Sequence, residues 1–195
     1  MAEAIELNPL KIGIDFGGVL SVYDKTQPRS DEDEHQSVEV NMPDAMESLI
    51  KLKDAGHQLY LISYCGQRRA IETQRSLLRT LPRPDLFDGM YFVDRTTYKA
   101  DVCRALGCDI MIDDKLKILN NIQRQIPTMK LLWFISPDVN GYAPDMIKVE
   151  SWSDIMKNIN EVLIYQAPRH QADSQVTLKD KIHEIQLNDV RRKKK

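Results

Sequence analysis

Near its beginning the chain contains the stretch Lys11-Ile12-Gly13-Ile14-Asp15-Phe16-Gly17-Gly18-Val19-Leu20, in which a short apolar run ends in a carboxylate and two glycines. Its isoleucines have the spacing of a buried strand, so Asp15 is predicted at the carboxyl end of that strand. This edge of an open α/β sheet is where ligands bind. Gly17 and Gly18 allow a sharp turn and a close approach of the backbone to a ligand. By itself, the stretch is also typical of a strand end followed by an Asp-initiated turn.

The composition describes one globular domain of ordinary size. The chain has 195 residues, of which 42% are hydrophobic and 29% are charged, and its formal net charge is −2. These values are typical of a water-soluble protein with a sizeable core, and they provide no overall attraction to nucleic acid. No segment is long and apolar enough to cross a membrane, and residues 1–6 are acidic where a secretory signal would be basic. We therefore expect an intracellular, cytoplasmic protein.

Apolar and amphipathic segments alternate along the chain. Asn41 is expected to cap the first helix, with Pro43 in its first turn and Gly56 after its end. Strands that alternate with helices of about ten residues predict a Rossmann-like α/β fold, in which a mainly parallel central sheet lies between two layers of helices. The predicted strands after the first are 58–62, 90–93, 109–112, 130–135 and 147–149, and the later helices are 68–81, 100–106, 116–125 and 151–164.

Two segments stand outside this pattern. Residues 21–40 are polar and acidic, and we expect them to form a small exposed flap on a domain that spans residues 1–165. Residues 166–195 are expected to form a C-terminal tail with an amphipathic helix at 179–190. The end of the tail, Arg191–Lys195, is typical of a disordered, solubilising terminus. The alternatives are a nuclear-localisation signal, which leaves the nucleus open as a location, or a contact with nucleic-acid phosphates.

Other residues are assigned to the core or the surface. The cysteines lack the spacing of a metal or redox site, so we expect reduced thiols, the last two of them buried: Cys65, Cys103 and Cys108. The tryptophans at strand and helix positions are expected in the core: Trp133 and Trp152. The histidines without a surrounding motif are expected on the surface: His57, His170 and His183.

Polar side chains follow three of the predicted buried strands. Asp15, Ser63 and the pair Asp113-Asp114 each end a strand, and Lys99 begins a helix. Carboxylates from neighbouring strands bind Mg²⁺ through oxygen, usually together with water and a substrate phosphate. A serine hydroxyl and a lysine ammonium bind phosphate oxygens and stabilise the charge that develops in phosphoryl transfer. A carboxylate on the first strand can act as the nucleophile.

These residues resemble, in order, the four motifs of the haloacid dehalogenase-like (HAD) superfamily of hydrolases. The resemblance covers about residues 11–164, and it implies the same α/β fold and a phosphatase that works through an aspartyl-phosphate intermediate. It also implies that Asp15 is the nucleophile, that Ser63 binds the phosphate, and that Lys99 stabilises both nucleophile and phosphate. The matching stretches are Ile14–Leu20, Leu61–Ser63, Lys99 and Ile110–Asp114.

The resemblance further implies a Mg²⁺ site. Asp15 and Asp114 would be direct metal ligands, and Asp113 would act through water. The backbone carbonyl of Gly17 would supply a further ligand, and Gly18 is expected to contact the substrate. A phosphorylated small molecule or macromolecule is therefore the expected partner.

One position departs from the family pattern. Phosphatases of this superfamily usually have a second aspartate two residues after the nucleophile, where it serves as general acid and base, and here that position is Gly17. Val19 likewise replaces the usual threonine. General acid–base catalysis contributes roughly a hundred- to ten-thousand-fold to rates. The enzyme would therefore be slow or be limited to substrates with good leaving groups. Alternatively, a residue of the flap would serve as the proton donor: Tyr23, Asp24 or His35.

The spacing of the motifs leaves no room for a helical cap domain. An open site of this kind suits a macromolecular or nucleotide phosphate, unless a neighbour in an oligomer closes it over a small substrate. The context Asp113-Asp114-Lys115 also resembles that of the deoxyribonucleotidases, which have such a cap. We therefore hypothesise a Mg²⁺-dependent phosphatase, with a catalytically impaired pseudo-enzyme that binds a phosphate or a partner as the alternative.

Overall fold

The computed structural model describes residues 9–22, 38–135, 143 and 146–165. Strands and helices alternate through this part of the chain, as the sequence pattern predicts. In chain order they are β1 (Lys11–Ile14), α1 (Ala45–Asp54), β2 (Gln58–Tyr64), α2 (Gln67–Thr80), β3 (Gly89–Val93), α3 (Tyr98–Leu106), β4 (Ile110–Asp113), α4 (Leu116–Gln125), β5 (Lys130–Phe134), β6 (Ile147–Val149) and α5 (Trp152–Tyr165).

The strands form one parallel sheet in the order β3-β2-β1-β4-β5-β6. β1 lies near the centre, where Ile14 pairs with Leu61 of β2 on one side and with Ile112 of β4 on the other. The chain builds outward from β1 through β2 to β3 and then returns to β4 on the opposite side. This reversal opens a crevice at the carboxyl ends of β1 and β4, where open α/β sheets bind ligands. The predicted Rossmann-like α/β fold is confirmed.

Two apolar layers cover the faces of the sheet. On one face, Ile12 and Ile14 of β1 belong to the same core cluster as Leu49 of α1 and Ile155 of α5. On the other face, α3 and α4 contribute to a second cluster around Met111 of β4. The sheet is therefore buried on both sides, as parallel sheets require.

Gly13 allows this second layer to lie close to β1. A Cβ atom at this position would be 2.8 Å from Met111 Sδ and 3.1 Å from Ile62 Cδ1. The space left by the missing side chain of Gly13 is therefore filled by Met111 of β4 and Ile62 of β2.

The start of α1 differs from the prediction. The helix begins at Ala45, its N-cap residue is Asp44 with φ of 60°, and no side chain makes a capping hydrogen bond. Asn41 Oδ1 instead accepts a hydrogen bond from the Val22 N–H at 2.8 Å. The expected Asn41 cap is wrong, because this side chain ties the chain returning toward α1 to the turn after β1. The placement of Pro43 in the first helical turn is also wrong, since Pro43 lies before the N-cap residue.

His57 also lies elsewhere than predicted. Its side chain is buried, and Nδ1 accepts a hydrogen bond from the Leu10 N–H at 3.1 Å. Burial lowers the pKa of His57, so the neutral form that accepts this bond is favoured. The core assignments of Trp133 and Trp152 and the burial of Cys103 and Cys108 are confirmed, and all three cysteines are free thiols.

Several predictions fall outside the described residues. These include most of the flap, the C-terminal tail, His170 and His183, so the boundary between residues 1–165 and 166–195 stays a prediction. Within the described ranges, no helix combines the length and the apolar character needed to span a bilayer.

Candidate active site

Three carboxylates meet at the carboxyl ends of β1 and β4. Asp15, Asp113 and Asp114 each offer a carboxylate oxygen, and these atoms all lie within 4.8 Å of one another. The backbone explains the proximity, because Ile14 and Ile112 are register partners and the Asp15 N–H donates to the Ile112 carbonyl at 2.9 Å. Parallel pairing therefore converts two distant sequence motifs into one acidic cluster.

Lys99 connects two members of this cluster. It lies in the first turn of α3, its side chain is fully buried, and Nζ is 2.8 Å from Asp15 Oδ1 and 2.7 Å from Asp113 Oδ2. Burial alone would lower the pKa of Lys99, but the charges of Asp113 and Asp15 outweigh burial and raise it. The ammonium therefore stays charged and holds the ends of β1 and β4 together.

The adjacent carboxylates have different environments. Asp113 is hydrogen-bonded through both oxygens, with Oδ2 accepting from Lys99 and Oδ1 accepting from the Lys115 N–H at 2.8 Å. Asp114 Oδ1 is buried and, among the described residues, has no hydrogen-bond partner. Burial, with some contribution from neighbouring carboxylates, raises the pKa of Asp113 to about 6 and that of Asp114 to about 8. Ionisation of all three clustered carboxyl groups would therefore leave a surplus of buried negative charge, which a cation would relieve.

A pocket opens beside this cluster. Asp15, Gly17 and Ser63 are among the residues that line it, so two predicted strand ends and the first glycine share one cavity. The turn after β1 is held by the Phe16 carbonyl, which accepts hydrogen bonds from the backbone N–H groups at positions 20 and 21. Gly18 adopts φ of 79°, and its N–H donates to the Ser21 carbonyl at 2.8 Å, so this donor serves the turn.

The pocket also contains residues that the sequence motifs did not indicate. Lys115 follows the paired aspartates, and its Nζ lies 6.0 Å from the centre of the Tyr64 ring, within range of a cation–π interaction. The lining also includes Arg69 and Thr73 of α2 and Phe92 of β3. Arg69 and Thr73 follow no recognisable motif, and the packing of α2 against the sheet brings them to the site.

Comparison with known proteins identifies the fold of the chain. No family model matches the chain. D,D-heptose 1,7-bisphosphate phosphatase from B. bronchiseptica superposes with a TM-score of 0.59 and 12% identity, covering 78% of this chain and 99% of that one. A HAD-superfamily hydrolase from Ehrlichia chaffeensis superposes with a TM-score of 0.52 and 12% identity, covering 80% and 98%. The chain has the haloacid dehalogenase-like fold.

Two further proteins are similar to this chain. An uncharacterised protein from Listeria monocytogenes serotype 4b superposes on it with a TM-score of 0.58, 17% identity and coverage of 80% and 99%. A protein of Oceanobacillus iheyensis that is named as a candidate nucleotidase is 22% identical over 116 residues. That match spans 60% of this chain and 60% of the length of the relative.

At such low sequence identities, the similarity to these proteins shows a shared fold. The fold explains why Asp15, Ser63, Lys99 and the paired aspartates converge, because all of them lie at or beside the carboxyl ends of β1, β2 and β4. The chemistry of the site follows from the contacts of its own residues.

Proposed function

We propose that the protein is a Mg²⁺-dependent phosphatase that forms a covalent phosphoryl intermediate on Asp15. The observation that carries this proposal is the position of Asp15, which lines the pocket while its carboxylate is paired with the buried Lys99. The presence of a phosphatase and a hydrolase among the HAD-like structural neighbours supports the class of activity. The substrate would be a phosphate monoester, including a nucleotide or macromolecular phosphate that can enter an open pocket.

The carboxylate cluster fits a divalent cation. Mg²⁺ prefers oxygen ligands, and Asp15, Asp113 and Asp114 offer them within one small volume. Because Asp113 already accepts hydrogen bonds on both oxygens and Asp114 Oδ1 lacks a partner, Asp114 is the better direct ligand and Asp113 would act through water. The Gly17 carbonyl would complete the protein ligands. When bound, Mg²⁺ would neutralise charge on the carboxylates and on a substrate phosphate.

Three residues of the chain would each have a separate role in the reaction. The Asp15 carboxylate would attack phosphorus, forming an oxygen–phosphorus bond as the bond to the leaving oxygen breaks. The Ser63 hydroxyl would donate to a phosphate oxygen, and Lys99 would hold the attacking carboxylate in place while balancing its charge. Attack of water on phosphorus would then release inorganic phosphate and regenerate the Asp15 carboxylate.

The leaving group presents a separate requirement. With glycine at position 17, the turn after β1 provides no carboxyl group to protonate the departing oxygen. The proposal is therefore that the enzyme acts on esters with good leaving groups or takes a proton from the flap, where Tyr23, Asp24 and His35 lie outside the described residues. Gly17 also supports the second candidate function, a phosphate-binding module without turnover.

The proposed intermediate can be trapped. The protein would be mixed with p-nitrophenyl phosphate and Mg²⁺, quenched in acid within the first turnovers, digested and mapped by mass spectrometry. We expect a phosphoryl group on the peptide that contains Asp15, and none in Asp15→Asn. Turnover with no label on that peptide would contradict covalent catalysis by Asp15, whereas phosphate binding without turnover would favour the second candidate.

A further inference from the structure

Helix α2 buries three polar residues and leaves two large apolar residues exposed to water. Its buried residues are Arg69, Thr73, Ser76 and Leu77. Ile71 and Leu78, in contrast, are 41% and 65% exposed. An amphipathic helix normally buries its apolar stripe, and local departures from that pattern tend to occur at functional sites.

The buried polar residues at the start of this face reach the candidate active site. Arg69 and Thr73 are one helical turn apart, both line the pocket that contains Asp15 and Ser63, and they are only 8% and 1% exposed. An arginine is rarely buried to this extent unless its charge is paired. Arg69 also interacts with the protein itself, and its several N–H donors allow a ligand to be bound in addition.

Arg69 and Thr73 belong to α2, which contacts β3, and Phe92 of β3 lines the same pocket. β3 is separated from β1 by β2, so the end of β3 lies about 10 Å from the end of β1, at roughly 4.8 Å for each strand spacing. We infer from this order that α2 approaches the pocket from the β3 side, whereas Asp15 approaches it from β1. A phosphoryl group on Asp15 would therefore leave Arg69 to contact another part of the substrate.

We propose that Arg69, assisted by the Thr73 hydroxyl, binds a second anionic group of the substrate, either a carboxylate or a second phosphate. This proposal rests on the proposed phosphatase function and specifies its substrate class. A guanidinium matches both groups, since its planar N–H donors form paired hydrogen bonds to two oxygens of either anion. Lys99 cannot serve this purpose, because it is fully buried between Asp15 and Asp113.

The test compares substrates that differ in the second anion. Fructose 1,6-bisphosphate is compared with fructose 6-phosphate for a second phosphate, and 3-phosphoglycerate with glycerol 3-phosphate for a carboxylate. We expect kcat/KM to be higher for the doubly anionic member of at least one pair. Arg69→Gln should reduce that preference roughly 10- to 100-fold, as expected for loss of a hydrogen bond between charged groups.

The adjacent arginine provides a matched control. Arg68 lies on the outer surface of α2, where its side chain is 80% exposed and its Nε lies 3.1 Å from Glu72 Oε1. Arg68→Gln removes the same charge from the same helix, so it should leave the preference unchanged. Arg69→Lys should retain part of it, and thermal melts of each variant would identify one that fails to fold.

The outcomes separate this inference from the proposed function. If the protein hydrolyses phosphate esters without preferring a doubly anionic substrate, or if Arg68→Gln reduces the preference as much as Arg69→Gln, the subsite is contradicted. If wild type hydrolyses none of the esters, calorimetric binding of the same compounds replaces kcat/KM. Tighter binding of the doubly anionic member, lost in Arg69→Gln, would support the subsite although catalysis had failed, and equal binding would overturn it.

Discussion

Lys99 Nζ lies 2.7 Å from Asp113 Oδ2, and neither side chain has any exposed surface. A buried pair of this kind costs free energy to desolvate, and it contributes little net stability compared with apolar residues of the same size. The position of the pair gives it a role, because the same ammonium lies 2.8 Å from Asp15 Oδ1. The pair therefore fixes the proposed nucleophile relative to the proposed metal ligands.

Lys99→Met should strongly destabilise the protein. The substitution keeps most of the side-chain volume but leaves two buried carboxylates without their cation, which typically costs about 3–5 kcal/mol. Urea denaturation followed by circular dichroism, in metal-free buffer, would measure the loss. Lys51→Met is the control, since Lys51 is 62% exposed and pairs with Glu47 across the surface of α1. Equal unfolding midpoints for the two variants would contradict the role given to Lys99.

Asp114→Asn should uncouple stability from Mg²⁺. The wild-type melting temperature should rise on addition of Mg²⁺, because a cation offsets the negative charge of the ionised cluster. Without metal, the variant should be more stable than wild type, since it lacks a carboxyl group that burial makes costly to ionise. The variant should also gain less stability from Mg²⁺. Differential scanning fluorimetry over a Mg²⁺ titration would measure both effects. Asp101→Asn removes an exposed carboxylate that is paired with Arg104, so it should respond to Mg²⁺ as wild type does. An identical response in Asp114→Asn would contradict this placement of the metal.

His57 should make stability fall as the solution becomes acidic. Burial lowers the pKa of His57 in the folded protein below its ordinary value of 6.5. The unfolded chain therefore binds this proton first, so its contribution to stability is present above pH 6.5 and is lost as the pH falls toward the folded-state pKa, with a slope of at most about 1.4 kcal/mol per pH unit. His57→Asn keeps an acceptor for the Leu10 N–H without titrating. Unfolding free energies from pH 8 to 5 should fall less steeply in the variant, and parallel curves would show that His57 is not responsible.

Gly13→Ala should destabilise the centre of the sheet. The new Cβ would lie within 2.8 Å of Met111 Sδ, so the methionine must move, at a cost of about 1 kcal/mol or more. Gly66→Ala is the matched control, because nothing lies within 4 Å of a Cβ at position 66. Denaturant midpoints would separate the two, and combining Gly13→Ala with Met111→Val should recover part of the loss.

The sequence allowed the fold and much of the site's layout to be predicted. Parallel strands end at one edge of a sheet, so the order of Asp15, Ser63 and Asp113 at strand ends already predicted their convergence. The alternation of apolar segments likewise predicted the sheet, because its central strands β2, β1, β4 and β5 are largely buried on both faces.

The remaining features depend on tertiary contacts. Arg69 and Thr73 look like ordinary polar helix residues until α2 packs on the sheet with that face inward. His57 is buried, and its Nδ1 accepts a hydrogen bond from the backbone N–H of Leu10, 47 positions away in sequence. Asn41 could have capped a helix by its local chemistry, but it bonds to Val22 instead. Local propensity cannot distinguish these cases.

Hydrolysis of p-nitrophenyl phosphate tests the central proposal most directly, because its leaving group needs little protonation and a missing general acid matters least there. Wild type, Asp15→Asn and Gly17→Asp would be assayed with Mg²⁺ and with a chelator. We expect Mg²⁺-dependent turnover by wild type, none by Asp15→Asn, and faster turnover by Gly17→Asp on esters with poorer leaving groups. Wild-type inactivity with an active Gly17→Asp, or full activity in Asp15→Asn, would contradict the account.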